Sequence, residues 1–231
     1  MTTTQQGLAE RIRAVEQRIQ AACDRSGRSR QDINVIAVTK YVSLDTARQA
    51  VEEGCTHVGE NRWQDAKEKW EAIGGAATWH FIGHLQTNKV KDVLGKFAYI
   101  HSLDRISLAE ELQKKAAASG VTANCFIQVN VSGEESKYGL APDKLLSFVE
   151  EIKTMSALRI VGLMTMAPYE DAEATRPVFR GLRELRDRLN RSGMLAYEVP
   201  HLSMGMSNDF EIAIEEGATW VRLGSILVGK E

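Results

Sequence analysis

Apolar residues recur at helical spacing early in the chain. Leu8, Ile12, Val15, Ile19 and Cys23 fall on one face of a segment whose other face is charged, which predicts an amphipathic helix over 8–23. The polar, glycine-containing stretch 25–31 ends it. The run 33–39 is β-branched and almost uninterrupted, the pattern of a strand buried on both faces. From there strand-like and helical stretches alternate. Further strands are predicted at 56–59, 79–83, 98–101, 124–129, 160–164, 201–203 and 220–224. Helices are predicted at 44–53, 62–72, 87–94, 104–118, 142–155, 176–191 and 209–216. Eight strands with helices between them predict an α/β chain folded as a (β/α)8 barrel of the TIM type. A doubly wound open sheet is the competing architecture. No linker or low-complexity tract divides the chain, so 1–231 reads as a single domain with 1–30 as an additional leading helix and connector.

The composition, 43% hydrophobic and 26% charged, is that of a soluble globular protein. Basic and acidic residues number 29 and 31, so no basic field invites nucleic acid. Cys23, Cys55 and Cys125 are widely spaced and odd in number, which points to free thiols in a reducing cytosol. The first thirty residues lack a signal peptide's apolar stretch, and no run reaches membrane-spanning length. The expectation is a cytoplasmic protein with neither a nucleic-acid nor a membrane partner.

A barrel of this kind carries its site at the C-terminal ends of its strands. Lys40 ends the first apolar run and shares strand parity with Ile36 and Val38, so it is expected at the barrel mouth. A partly desolvated lysine has a lowered pKa and attacks carbonyls to form a Schiff base. The stretch Ser203-Met204-Gly205-Met206-Ser207-Asn208-Asp209 follows the seventh strand. Ser207, Asn208 or Asp209 suits the N-cap of the next helix, and Gly205 permits a tight turn. Gly224 and Ser225 follow the eighth strand. Loops after strands seven and eight are this fold's recurring phosphate site. Arg222 shares parity with Trp220 and Gly224 and is expected to face inward. A lysine, an anion cup and an inward arginine describe a site for pyridoxal 5′-phosphate (PLP). Arginine only donates hydrogen bonds, so it favours an unprotonated ring nitrogen and a weaker electron sink than an aspartate partner gives.

Three other signals are set aside. His80 and His84 are four apart, but on a strand that separation is ~13 Å, too far for one metal ion. Gly224 to Lys230 matches a phosphate-loop pattern formally, but Glu231 follows where serine or threonine is needed and no helix comes after. Glu134-Glu135 reads as a solvated loop rather than a catalytic pair.

The same residues carry a family resemblance. AVTK (37–40), GEN (59–61), WHFIGHLQTNK (79–89), VNVSGEESKYG (129–139), GLMTM (162–166), LSMGMSNDFEIAI (202–214) and VRLGSILVG (221–229) resemble the pyridoxal phosphate homeostasis protein family. The resemblance implies a modified (β/α)8 barrel like the N-terminal domain of alanine racemase. It implies PLP held as a Schiff base on Lys40, phosphate contacts at Ser207, Gly224 and Ser225 with Ser203 nearby, and Arg222 on the ring nitrogen or anion side. Asn61, His84 and Met204 take matching pocket positions, and Lys137 matches a lysine that can also meet the cofactor. The departures are the terminal ILVGKE, where relatives carry phenylalanine before the last glycine, and His201, to which no role is given.

Two functions of different class follow. One is a non-catalytic PLP carrier, acting in PLP homeostasis and amino/keto-acid balance and delivering PLP to PLP-dependent apoenzymes. The other is a PLP-dependent racemase or decarboxylase. Racemisation needs a second positioned acid–base group, which racemase relatives draw from a further β-rich domain. Tyr41 and Tyr138 have no motif that supports such a role. The carrier is therefore favoured, as a monomer. A class I aldolase-like lyase is a third use of a barrel lysine and predicts no bound chromophore.

Overall fold

The structure is a computed structural model describing residues 3–229. Lys230 and Glu231, which end the formal phosphate-loop match, lie outside the described residues. Eight parallel strands close into a barrel in chain order. They are β1 (Asn34–Val38), β2 (His57–Glu60), β3 (Thr78–Phe81), β4 (Tyr99–Leu103), β5 (Ala123–Gln128), β6 (Leu158–Met164), β7 (His201–Ser203) and β8 (Trp220–Leu223). β1 closes the ring on β8 through the register Asn34↔Trp220 to Ala37↔Leu223. The open-sheet alternative is thereby excluded.

The helices are α1 (Thr3–Ser26), α2 (Leu44–Glu52), α3 (Trp63–Ile73), α4 (Val90–Val93), α5 (Ile106–Ser119), α6 (Leu145–Ile152), α7 (Arg176–Ser192) and α8 (Phe210–Glu215). Two are shorter than their sequence pattern. The segment 87–94 is a 3₁₀ turn, Thr87–Lys89, running into the single turn of α4. In 142–155, Pro142 opens a 3₁₀ turn and α6 ends at Ile152. Proline lacks the N–H that a helix interior requires, so it is confined to such a first turn.

The leading helix is part of the ring rather than an appendage. Leu8, Val15, Ile19 and Cys23 are all buried, and α1 packs along α8. Arg11 Nε donates to the Leu227 carbonyl at 3.1 Å, and Arg28 Nη1 donates to the carbonyls of Ile214 and Ala218 at 2.7 and 2.6 Å. Only a turn follows β8 among the described residues, so α1 fills the eighth helical position.

Two cores result from strand alternation. The larger lies between strands and helices and includes Ala37, Val58, Ile127, Leu163 and Val221. The smaller fills the barrel with Ile36, Phe126, Met164 and Trp220. Histidines join the inner core, with His80 and His101 fully buried. The His101 ring stacks on Phe126 at 4.1 Å and the His80 ring on Tyr99 at 4.9 Å. Gly162 makes room for them, because a Cβ there would lie 2.6 Å from the Phe126 ring and 2.5 Å from the His201 carbonyl.

Candidate functional site

A cavity of about 590 Å³ opens at the C-terminal end of the barrel. Of the nine residues expected in it, Lys40, Asn61, His84, Ser207, Arg222, Gly224 and Ser225 line it. Ser203 and Met204 do not. Adjacent residues on a strand face opposite ways, so the pair cannot both point inward. Ser203 points into the barrel beneath the cavity floor, where it meets Arg222. Met204 is buried in the outer core.

Lys40 stands two residues beyond β1, half-buried, with Nζ 4.7 Å from the centre of the Tyr41 ring. The backbone just before it is anchored from behind. Lys69 Nζ, from α3, donates to the Thr39 carbonyl at 2.6 Å and to Glu60 Oε1 at 3.1 Å. Thr39 Oγ1 donates to the same carboxylate oxygen at 2.6 Å. All three residues are buried. Glu60 ends β2, but it faces α3 and not the mouth, in parity with the outer-core Val58.

The loops after β7 and β8 are joined across the cavity. Ser207 Oγ accepts from the Gly224 N–H at 3.3 Å. Gly205 turns the first loop with φ +94°, and a Cβ there would lie 2.6 Å from the Ala213 Cβ. Asp209 occupies the cap position of α8, but its side chain bonds backward: Oδ1 accepts from the Met206 N–H at 2.7 Å. That bond fixes the loop. The backbone N–H groups of Ser207, Asn208, Ser225 and Ile226 have no hydrogen-bond partner among the described residues, and all four residues line the cavity. Unpaired N–H groups converging on a concave surface favour an anion.

Arg222 forms part of the floor and is buried. Its Nη1 donates to Ser203 Oγ at 2.7 Å and its Nη2 to the Thr165 carbonyl at 3.0 Å. Burial lowers its pKa to about 10, opposed by the charge of Asp209. The remaining guanidinium donors are open to a ligand acceptor.

The sequence did not single out several of the walls. Tyr138 stacks on His84 with ring centres 4.0 Å apart. This pair, with Asn61 and Gly83, separates the cavity from a neighbouring one of about 640 Å³ that lacks Lys40 and Arg222. Tyr41, Tyr138 and Tyr169 line the cavity and stay 68%, 56% and 92% exposed. Lys137 is paired with Glu134 and is not part of the lining. His80 lies inside the barrel and His84 in the loop beyond β3, and no group among the described residues could hold a metal ion. No described helix is long and apolar enough to cross a membrane.

The alanine racemase N-terminal domain family matches residues 11–231. The pyridoxal phosphate homeostasis protein of Aquifex aeolicus is 47% identical over 96% of this chain and 97% of its own length. The protein of that name from Pseudomonas aeruginosa is 39% identical over 96% and 95%. Among solved structures, PipY of Synechococcus elongatus with PLP bound superposes with a TM-score of 0.83 at 32% identity, covering 96% of this chain and all of its own. An alanine racemase from Clostridium difficile shares the fold, with a TM-score of 0.72 at 15% identity over 94% of this chain and 56% of its own.

Proposed function

Because the chain belongs to the pyridoxal phosphate homeostasis proteins, within the alanine racemase N-terminal domain family, we propose that its cavity binds PLP and that it acts as a carrier of that cofactor. One observation carries the reading. A half-buried lysine, four unpaired backbone N–H groups and a donor-only guanidinium surround a single cavity. These are an amine for an aldehyde, a cradle for a phosphate and a partner for a ring nitrogen.

When bound, PLP supplies an aldehyde that condenses with amines and a ring that withdraws electrons. Lys40 provides the covalent attachment through Nζ. Ser207, Gly224 and Ser225 receive the phosphate, with the hydroxyl of Ser207 already fixed against the Gly224 N–H. Arg222 donates toward the ring nitrogen and cannot accept from it, so it keeps that nitrogen unprotonated. His84, steadied by Tyr138, and Asn61 bound the opposite wall. Ser203 acts one layer below, through Arg222.

The walls favour holding and release over turnover. Proton transfer at carbon needs a positioned acid–base group screened from water. The tyrosines here stand at an open rim, and the Asp209 carboxylate already accepts from the Met206 N–H. An accessible site of this kind suits a protein that shields a reactive aldehyde, passes it to PLP-dependent apoenzymes and buffers it against amino and keto acids. We place that role in the cytoplasm, in a monomer.

The test is to add PLP to the purified protein, record the visible spectrum, reduce with borohydride and map the modified peptide. A visible band lost on reduction, with the label on Lys40 and absent from Lys40→Ala, is expected. A colourless protein, or a label elsewhere, overturns the site. Turnover of an amino acid by the loaded protein overturns the carrier role while leaving the site intact.

A further inference from the structure

Four polar side chains run in file through the barrel interior, from its mouth toward the opposite end. Ser203 Oγ lies 2.9 Å from His101 Nδ1, His101 Nε2 lies 3.0 Å from His80 Nδ1, and His80 Nε2 lies 3.1 Å from His57 Nδ1. At the mouth, Arg222 Nη1 donates to the same Ser203 oxygen at 2.7 Å. At the far end His57, the first residue of β2, is half-buried. Each ring is held in plane by a neighbour: His101 by Phe126, His80 by Tyr99, and His57 by the edge of Trp220 at 4.8 Å.

A neutral histidine can donate from either nitrogen, so such a file could point either way. Arginine removes the choice. It has donors only, so Ser203 Oγ must accept from it. Ser203 is fully buried, and Arg222 and His101 are its only side-chain partners among the described residues. Its single hydroxyl proton therefore has one place to go, the Nδ1 of His101. If His101 donated instead, that hydroxyl proton would be left buried without an acceptor, a costly arrangement. With Nδ1 accepting, His101 carries its proton on Nε2 and donates to His80 Nδ1. His80 then donates from Nε2 to His57 Nδ1.

We propose that Ser203, His101, His80 and His57 form one directional hydrogen-bond chain whose polarity is set by Arg222 and which in turn positions Arg222. Every lone pair in the chain faces the guanidinium and every N–H faces away. The aligned dipoles stabilise a buried cation that has no carboxylate within hydrogen-bond distance among the described residues. The four are positioning residues, acting on the site through Arg222. Burial keeps His80 and His101 neutral, helped at His101 by the charge of Arg222, and the file requires it. The other groups facing the chain are Tyr99, Trp220 and His201. The effect on a ring nitrogen rests on the PLP reading above; the tautomers do not.

The experiment is ¹⁵N-histidine NMR on the ligand-free protein, so that it stands whether or not PLP binds. In the wild type, His57, His80 and His101 are expected as Nε2–H tautomers with bare Nδ1. Ser203→Ala removes the hydroxyl that imposes the direction, and the single-tautomer signature of His101 and His80 is expected to be lost. His57→Phe lies downstream and is expected to leave His101 unchanged. A merely structural role would not produce this asymmetry. An Nδ1–H tautomer at His101 or His80 in the wild type, or unchanged tautomers in Ser203→Ala, overturns the proposal. If Ser203→Ala does not fold, the wild-type tautomers alone decide it.

Discussion

The ion pair beneath Lys40 makes a sharp test of what anchors the site. Lys69→Met deletes the ammonium while filling much of its volume. Glu60 then remains as a fully buried carboxylate whose one side-chain donor is the Thr39 hydroxyl, and the Thr39 carbonyl loses the donor it holds at 2.6 Å. Removing one member of a buried pair costs about 3–5 kcal/mol, because the other charge stays uncompensated. At about 2–4 °C per kcal/mol for a chain of this size, the Tm falls by roughly 6–20 °C. Glu60→Gln combined with Lys69→Met removes both charges and keeps an acceptor for Thr39, so it is expected to lose about 2 kcal/mol or less. The assay is urea and thermal denaturation by tryptophan fluorescence on the two single variants and the double. The single lysine variant should also label more slowly at Lys40 with PLP and borohydride, because the residue preceding Lys40 is no longer tethered. A double variant as unstable as Lys69→Met would refute the argument, since the loss would then come from packing and not from a stranded charge.

Stability is expected to fall on mild acidification. His80 and His101 are held well below the ordinary value of about 6.5 by burial, so the unfolded chain binds protons that the native chain refuses. Stability is present above that value and lost below it, by about 2–3 kcal/mol between pH 7 and 5.5 for the two rings, which denaturation at a series of pH values measures. Gly162→Ala drives a Cβ to 2.6 Å from the Phe126 ring and 2.5 Å from the His201 carbonyl and should cost about 1–3 kcal/mol by the same methods. Ser207→Ala removes the hydroxyl that ties the two loops at 3.3 Å; PLP titration followed by absorbance should show roughly tenfold to hundredfold weaker binding.

The barrel was legible because most strands carry their own local signal, the three-residue β7 least of all. β1, β5 and β6 are apolar runs, and each helix shows its buried stripe. What local pattern could not supply was height. His57, His80 and His101 lie on three strands with nothing in their spacing to join them; the register between strands decides that they stand in one file, and register is set across the sheet. The Glu60–Lys69 pair was hidden for a related reason. Its members lie on a strand and on the following helix, so their meeting depends on how α3 packs. Ser203 and Met204 were carried as one motif, although alternation lets only one of two neighbours face the ligand side. Of the tyrosine rim, the sequence offers Tyr41 and Tyr138 only as acid–base candidates without a motif and Tyr169 not at all, because an exposed aromatic residue in a loop has no periodicity to announce it.

The place of α1 in the outer ring has a consequence for assembly of the chain. The regular order of a (β/α)8 barrel puts a helix after every strand, yet here the helix beside β8 precedes β1 in the chain. Arg11 and Leu227, hydrogen-bonded at 3.1 Å, are 216 positions apart. The cylinder therefore cannot finish its wall until α8 and the turn around Leu227 arrive, and α1 must wait with its apolar stripe uncovered, a source of slow folding and aggregation during synthesis. A circular permutant that begins near Ser29 and appends α1 after Gly229 through a short linker would restore the βα order. It should fold faster than the natural arrangement while keeping the same cavity.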